Sequence, residues 1–180
     1  TLENSHPFMR ELWGRQWIFA HNGDLHNFQP HLSGRFTPVG STDSELAFCY
    51  LLEQLVLKFG YFEPSLNDIF SLLEEISPKV AEYGTFNFCL SNGQALFSYA
   101  TTKLHWIVRE YPFQYARLVD IDVDIDFSKF TTEEDRVAVI TTEPLTQNEI
   151  WTAYQPGEMI LFRDGKVIKT ATTTVDRLVR

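Results

Sequence analysis

The chain has 180 residues, 44% of them hydrophobic and 14% aromatic, and a formal net charge of −9. That is one domain's worth of sequence, long enough to bury a substantial core. The acidic balance and the lack of any Lys/Arg run argue against a nucleic-acid partner, and no apolar stretch is long enough for a membrane helix. The two cysteines, Cys49 and Cys89, lack motif spacing. They offer neither a disulfide framework nor a zinc site, and they point to a reducing, cytoplasmic compartment.

Thr1 to Arg15 shows no clean period and is punctuated by Asn4, Pro7 and Gly14, so a loop with a turn of helix is expected. An N-terminal threonine can act as a nucleophile with its own amine as base. Thr1, however, leads straight into loop. His6 precedes a proline, which biases it toward extended backbone; from the residues alone it braces a loop. Trp17 to Ala20 reads as a short apolar strand covered on both faces. It ends in His21-Asn22-Gly23, where a tight turn is expected because Gly and Asn tolerate positive φ. Such a turn would leave the Gly23 N–H and the Asn22 amide side by side, the pair of neutral donors an oxyanion hole needs. Asn-Gly is equally a common structural turn dipeptide. His21 is expected to orient the turn. Asp24 to Val39 forms a long loop whose His26 and His31 are read as surface residues rather than metal ligands.

Ser41 or Thr42 is a good N-cap, and Asp43 and Glu45 place acids in the first helical turn, where the helix dipole favours them. Leu46, Ala47, Tyr50, Leu51, Leu55 and Phe59 carry the helical period to Gly60, with Cys49 as a core thiol. Ser65 opens a second helix through Ile69, Leu72, Leu73, Ile76 and Val80, kinked at Pro78 and stopped by Gly84. Two such amphipathic helices are expected to pair on one face of a sheet.

The rest is strand-rich. A hairpin is expected from Thr85 to Ala100 around Ser91-Asn92-Gly93, with Cys89 in a structural role. Lys103 to Arg109, Arg117 to Phe127 and Arg136 to Thr141 read as further strands, then a loop from Thr142 to Leu145. A last hairpin joins Glu158–Phe162 to Lys166–Thr170, and residues 171–180 form a terminal tail after a 1–170 domain. Asp122, Asp124 and Asp126, with Glu133, imitate the opening of an EF-hand loop. Phe127 stands where that loop requires Gly, so acids on an edge strand account for them better. Two helices followed by antiparallel strands define an α+β class.

Four segments then combine: Asn4-Ser5-His6-Pro7-Phe8, His21-Asn22-Gly23, Gly40-Ser41-Thr42-Asp43-Ser44-Glu45 and Pro156-Gly157-Glu158. In this order and spacing, over nearly the whole chain, they resemble the class II glutamine amidotransferases, a group of N-terminal-nucleophile hydrolases. The stand-alone YafJ-like branch is the one most resembled. The resemblance implies a four-layer αββα sandwich and a glutaminase-type reaction, in which a cysteine attacks the glutamine side-chain amide and a γ-glutamyl thioester is then hydrolysed. It also implies that Asn22 and Gly23 hold the oxyanion, that Asp43 binds the substrate α-ammonium, and that His6, in a loop flanking the pocket, and His21 are further substrate-binding residues. No metal or organic cofactor is implied. The implied partners are L-glutamine or a γ-glutamyl compound, and a synthase domain or subunit that receives ammonia.

The chain departs from the family pattern at its start. The family nucleophile is a cysteine at the mature N-terminus, with its α-amine as base; here Thr1 is first and both cysteines are internal. The family's His-x-Arg segment ahead of Asn4 is also missing. The chain is therefore expected to be the N-terminally incomplete, C-terminal majority of such a domain, inactive without the nucleophile segment. Two alternatives stay open: a γ-glutamyl amide or peptide hydrolase without ammonia transfer, and a non-catalytic glutamine-binding domain.

Overall fold

A computed structural model describes residues 2–120, 124–129 and 131–174. Thr1, Asp122 and the tail from residue 175, treated above, lie outside the described residues.

The first segment is not all loop. After one turn of 3-10 helix at Leu2–Asn4, β1 (Phe8–Leu12) folds back on β2 (Arg15–Leu25). The two turn residues, Trp13 and Gly14, have φ of 57° and 74°, as a two-residue hairpin with matching twist requires. Phe8 and Leu12 are buried, but the middle residue of that face is Arg10. Its charge hides the alternation that would have announced a strand.

β2 runs through His21-Asn22-Gly23 without turning, which overturns the tight turn expected there. Asn22 pairs with Asn87 and Gly23 with Phe86 on β3 (Gly84–Ser91). The glycine is needed for a different reason. A Cβ at position 23 would lie 1.9 Å from the Thr85 carbonyl oxygen and 2.6 Å from His21 Nε2. Close backbone approach, not positive φ, excludes other residues here.

The two helices follow their caps. Thr42 Oγ1 accepts the Glu45 N–H at the start of α1 (Asp43–Phe59), and Gly60 ends it with φ 70°. Ser65 Oγ accepts the Asp68 N–H at the start of α2 (Leu66–Ala81), which continues past Pro78. Gly84 does not stop this helix as expected; it opens β3, where a Cβ would meet the Asp24 carbonyl oxygen at 2.0 Å.

β4 (Leu96–Ala100), β10 (Glu158–Arg163) and β11 (Lys166–Thr172) complete a six-stranded antiparallel sheet in the order β1-β2-β3-β4-β10-β11. Ala171 and Thr172, expected in the tail, extend β11 instead, and the Thr173 N–H donates to the Gly157 carbonyl. A smaller sheet joins β5 (His105–Glu110), β8 (Arg136–Thr141) and β9 (Thr152–Ala153). Strand β10 shows why the core has two compartments. Met159 and Leu161 join the cluster under α1 and α2, while Ile160 and Phe162 face Trp106, Ala138 and Ile140 of the smaller sheet. Both faces are apolar because both are covered.

The fold is thus mixed α/β, with two helices and antiparallel sheets among the described residues. The expected single strand from Arg117 to Phe127 breaks up. β6 (Tyr115–Arg117) pairs back onto β7 (Asp124–Asp126), and Arg117 Nε reaches Asp124 Oδ1 at 3.1 Å. No described helix is long and apolar enough to cross a membrane.

Candidate functional site

β1 covers β2 only from Arg15 to Phe19. Beyond Phe19 no strand among the described residues pairs with that edge of β2. Across it, the Leu25 N–H donates to Asp43 Oδ2 at 2.7 Å. Backbone N–H directions alternate along a strand, so the Gly23 N–H faces the same open edge. Its ladder partner agrees: Phe86 turns its N–H away from β2, to Thr101 Oγ1 at 2.9 Å. Gly23 is exposed. The Gly23 N–H and the Asp43 carboxylate bound at Leu25 therefore share one edge, two strand positions apart, or roughly 7 Å at strand spacing.

Asp43 is held there by α1 and by the loop before it. Glu45, 1% exposed, accepts the Val39 and Gly40 N–H groups at 3.0 and 2.7 Å and the Arg10 guanidinium at 2.5 Å. Burial alone would raise its pKa; those donors outweigh it and hold the carboxyl below its ordinary value. Glu53, two turns further on the same helix face, accepts from Ser33 and Phe36 and ties down the rest of the long loop. Asn4 Oδ1 accepts the Ser41 N–H at 2.9 Å, locking the Asn4–Phe8 segment beside the start of α1. Glu53 had no motif to announce it; the long apolar helix around it concealed its role.

His21 is buried, with both ring nitrogens engaged. Nε2 lies 3.0 Å from the Thr85 carbonyl oxygen and Nδ1 2.9 Å from Ser44 Oγ. A carbonyl only accepts, so Nε2 carries the proton and the Ser44 hydroxyl donates to Nδ1. Burial lowers the His21 pKa, against the opposing pull of the Thr85 carbonyl and Asp43. The residue braces β2 against α1, and neither nitrogen is open to a ligand. His6 is exposed, packed edge-on against Phe8 at 4.7 Å. Desolvation lowers its pKa while the Asp43 charge opposes, so it stands near that carboxylate.

Asn22 points to the opposite face of β2, toward the smaller sheet. Its Nδ2 donates to Thr142 Oγ1 at 2.7 Å, which leaves one amide proton uncommitted. The Asn22 carbonyl accepts from Nδ2 of Asn87, a buried residue that also takes the Thr101 and Thr102 N–H groups. Neither Asn87 nor Thr142 carried a signal in the sequence, because both act through contacts distant along the chain.

Cys49 lies inside the core, and Cys89 is half-buried on β3. Burial pushes Cys49 up to about 11 and Cys89 up to about 12, which keeps both protonated and poorly nucleophilic. A cavity of about 500 Å³ lined by Phe28, Tyr50, Lys79 and Tyr83 lies on the α2 side, away from this edge.

Residues 1–179 match the family described as glutamine amidotransferases class-II. The chain is 47% identical over 166 residues to the Escherichia coli (strain K12) protein named "Putative glutamine amidotransferase YafJ", covering 92% of this chain and 65% of the relative. It is 45% identical over 169 residues to the protein named "Putative glutamine amidotransferase" of Haemophilus influenzae, covering 93% of this chain and 57% of the relative. A crystal structure described as a predicted glutamine amidotransferase from Pseudomonas aeruginosa superimposes with a TM-score of 0.84 at 45% identity, over 93% of this chain and 66% of that one. The chain belongs to the class II glutamine amidotransferases. It spans under two thirds of the length of these two named relatives.

Proposed function

We propose that this chain forms the glutamine-binding part of an amidotransferase that cleaves the side-chain amide of L-glutamine through a cysteine thioester. The observation that carries the reading is the shared edge of β2, where the Gly23 N–H and the Asp43 carboxylate lie two residues apart. Extended glutamine spans roughly 6 Å from its α-nitrogen to its side-chain oxygen with standard bond lengths. Asp43 then takes the α-ammonium through a charge-assisted hydrogen bond while Gly23 and the uncommitted Asn22 proton face the amide carbonyl.

In the reaction, a thiolate sulfur bonds to the amide carbon and the carbonyl electrons move to oxygen. Gly23 and Asn22 stabilise that oxyanion. The C–N bond breaks, nitrogen takes a proton and ammonia leaves. Water then hydrolyses the thioester, returning the thiol and releasing glutamate. Neither Cys49 nor Cys89 fits the nucleophile, since burial raises both thiols. The reading assigns it to a cysteine outside these 180 residues, in a cytoplasmic protein with the four-layer αββα arrangement of N-terminal-nucleophile hydrolases. Ammonia passes to a synthase domain or subunit.

The test is glutamate release from L-glutamine by the full-length protein. Asp43→Asn is expected to raise KM at least about tenfold with little change in kcat, as lost ground-state binding does. Asn22→Ala is expected to lower kcat roughly a hundredfold. No glutamate release by the parent protein, or an unchanged KM in Asp43→Asn, would refute the reading.

A further inference from the structure

We infer that Thr142 is a positioning residue for the Asn22 amide, so that the smaller sheet sets the geometry of the oxyanion site. The inference rests on the proposed role of Asn22.

An asparagine side chain on an exposed strand position rotates freely unless something holds it, and a freely rotating donor stabilises an oxyanion poorly. Asn22 is exposed. One of its amide protons is held by Thr142 Oγ1 at 2.7 Å, which fixes the plane of the amide and the direction of the other proton. Thr142 is itself anchored. Its carbonyl oxygen accepts from His105 Nδ1 at 2.9 Å, and the next residue, Glu143, pairs with Lys103 at 3.1 Å. The backbone of Asn22 is fixed from the other side, since its carbonyl accepts from Asn87 Nδ2 at 3.0 Å. Asn87 Nδ2 also donates to Thr102 Oγ1 at 2.8 Å, so the turn after β4 joins the same network. The donor is thus clamped at backbone and side chain, and among the described residues the Thr142 hydroxyl is what holds the side chain.

Thr142 is exposed, so replacing its hydroxyl leaves the core intact. In the full-length protein, Thr142→Val keeps the shape and removes the acceptor. It is expected to lower kcat for glutamine hydrolysis about tenfold with KM unchanged, less than the roughly hundredfold loss from removing the donor itself. Thr142→Ser, which keeps the hydroxyl, is expected to restore the rate. If Asn22→Ala is impaired and Thr142→Val is not, the positioning role is overturned while the oxyanion reading stands. If Asn22→Ala keeps full rate, the oxyanion reading fails and the inference falls with it. The Asn22 carboxamide signals in a nitrogen–proton NMR spectrum of the same proteins supply a readout independent of turnover. Thr142→Val is expected to move the hydrogen-bonded proton toward the shift of a solvent-exposed carboxamide while the pair stays resolved, because rotation about the amide bond is slow, and unchanged signals would overturn the inference whatever the kinetics.

Discussion

Replacing Gly23 by alanine puts a methyl carbon 1.9 Å from the Thr85 carbonyl oxygen, 2.7 Å from its carbon and 2.6 Å from His21 Nε2. Carbon and oxygen do not approach closer than about 3 Å without covalent bonding, so β2 and β3 must separate locally by more than an ångström. Overpacking of that kind costs about 1–3 kcal/mol. The shift also pulls apart the 3.0 Å bond between His21 Nε2 and the Thr85 carbonyl, worth about 1 kcal/mol. The total is about 2–4 kcal/mol. With a urea m-value of roughly 2 kcal/mol/M, the midpoint falls by about 1–2 M. Urea unfolding followed by tryptophan fluorescence reads this directly, since Trp17 is fully buried on the same strand. Gly14→Ala is the control: its φ is +74° but nothing lies within 4 Å of a new Cβ, so only the left-handed backbone cost of about 1 kcal/mol applies. A Gly23→Ala midpoint no lower than that of Gly14→Ala would refute the close-approach argument.

Other expectations follow from the buried charges and thiols. Glu45→Gln removes the charge that Arg10 and two backbone N–H groups converge on and is expected to cost roughly 2–4 kcal/mol; an unchanged melting temperature would count against it. The His21 pKa is lowered in the folded chain, so below the unfolded value of about 6.5 the unfolded state binds more protons. Stability is therefore full above neutral pH and declines as pH falls through about 6.5. The depressed carboxyls of Glu45 and Glu53 act lower, with stability present above the unfolded value of about 4.5 and lost as pH falls through their folded values. Unfolding free energy measured at pH 7.5 and 5.5 should drop less in His21→Gln than in the parent, and an equal drop would contradict the assignment. Cys49 and Cys89, pushed up to about 11 and about 12, should resist a thiol reagent at pH 8 in the folded 180-residue chain and react on unfolding. Rapid reaction of either in the native state would show that the fold does not shield it.

Local physics was legible in the residues. Helix α1 was written in the Thr42 cap, the acidic first turn, the helical apolar period and Gly60, all short-range features. Helix α2, the hairpin from β3 to β4 and the hairpin from β10 to β11 were legible for the same reason. The segments His21-Asn22-Gly23 and Gly40–Glu45, with Asn4–Phe8 upstream, were enough to place the chain in its family. They also located Asp43 and Gly23 as neighbours of interest. Strand β1 was hidden because Arg10 occupies a core-facing position, and it is satisfied there by Glu45 and the Thr37 carbonyl, far along the chain. The same limit applied to Gly23. A glycine after asparagine reads as a turn until a second strand is placed beside it, and only then does the Thr85 carbonyl explain the missing side chain. The pairing of β2 with β3 converts a presumed turn into an open edge, brings Leu25 to Asp43, and sets the spacing between donor and carboxylate. Thr142 reaches Asn22 only because the smaller sheet packs against the larger one. Sequence by itself determined the two helices, the local hairpins and the family, because those rest on short segments of chain and the interactions within them. Tertiary structure alone decided which groups are held, buried or open, because those properties arise between segments that meet only in the folded molecule.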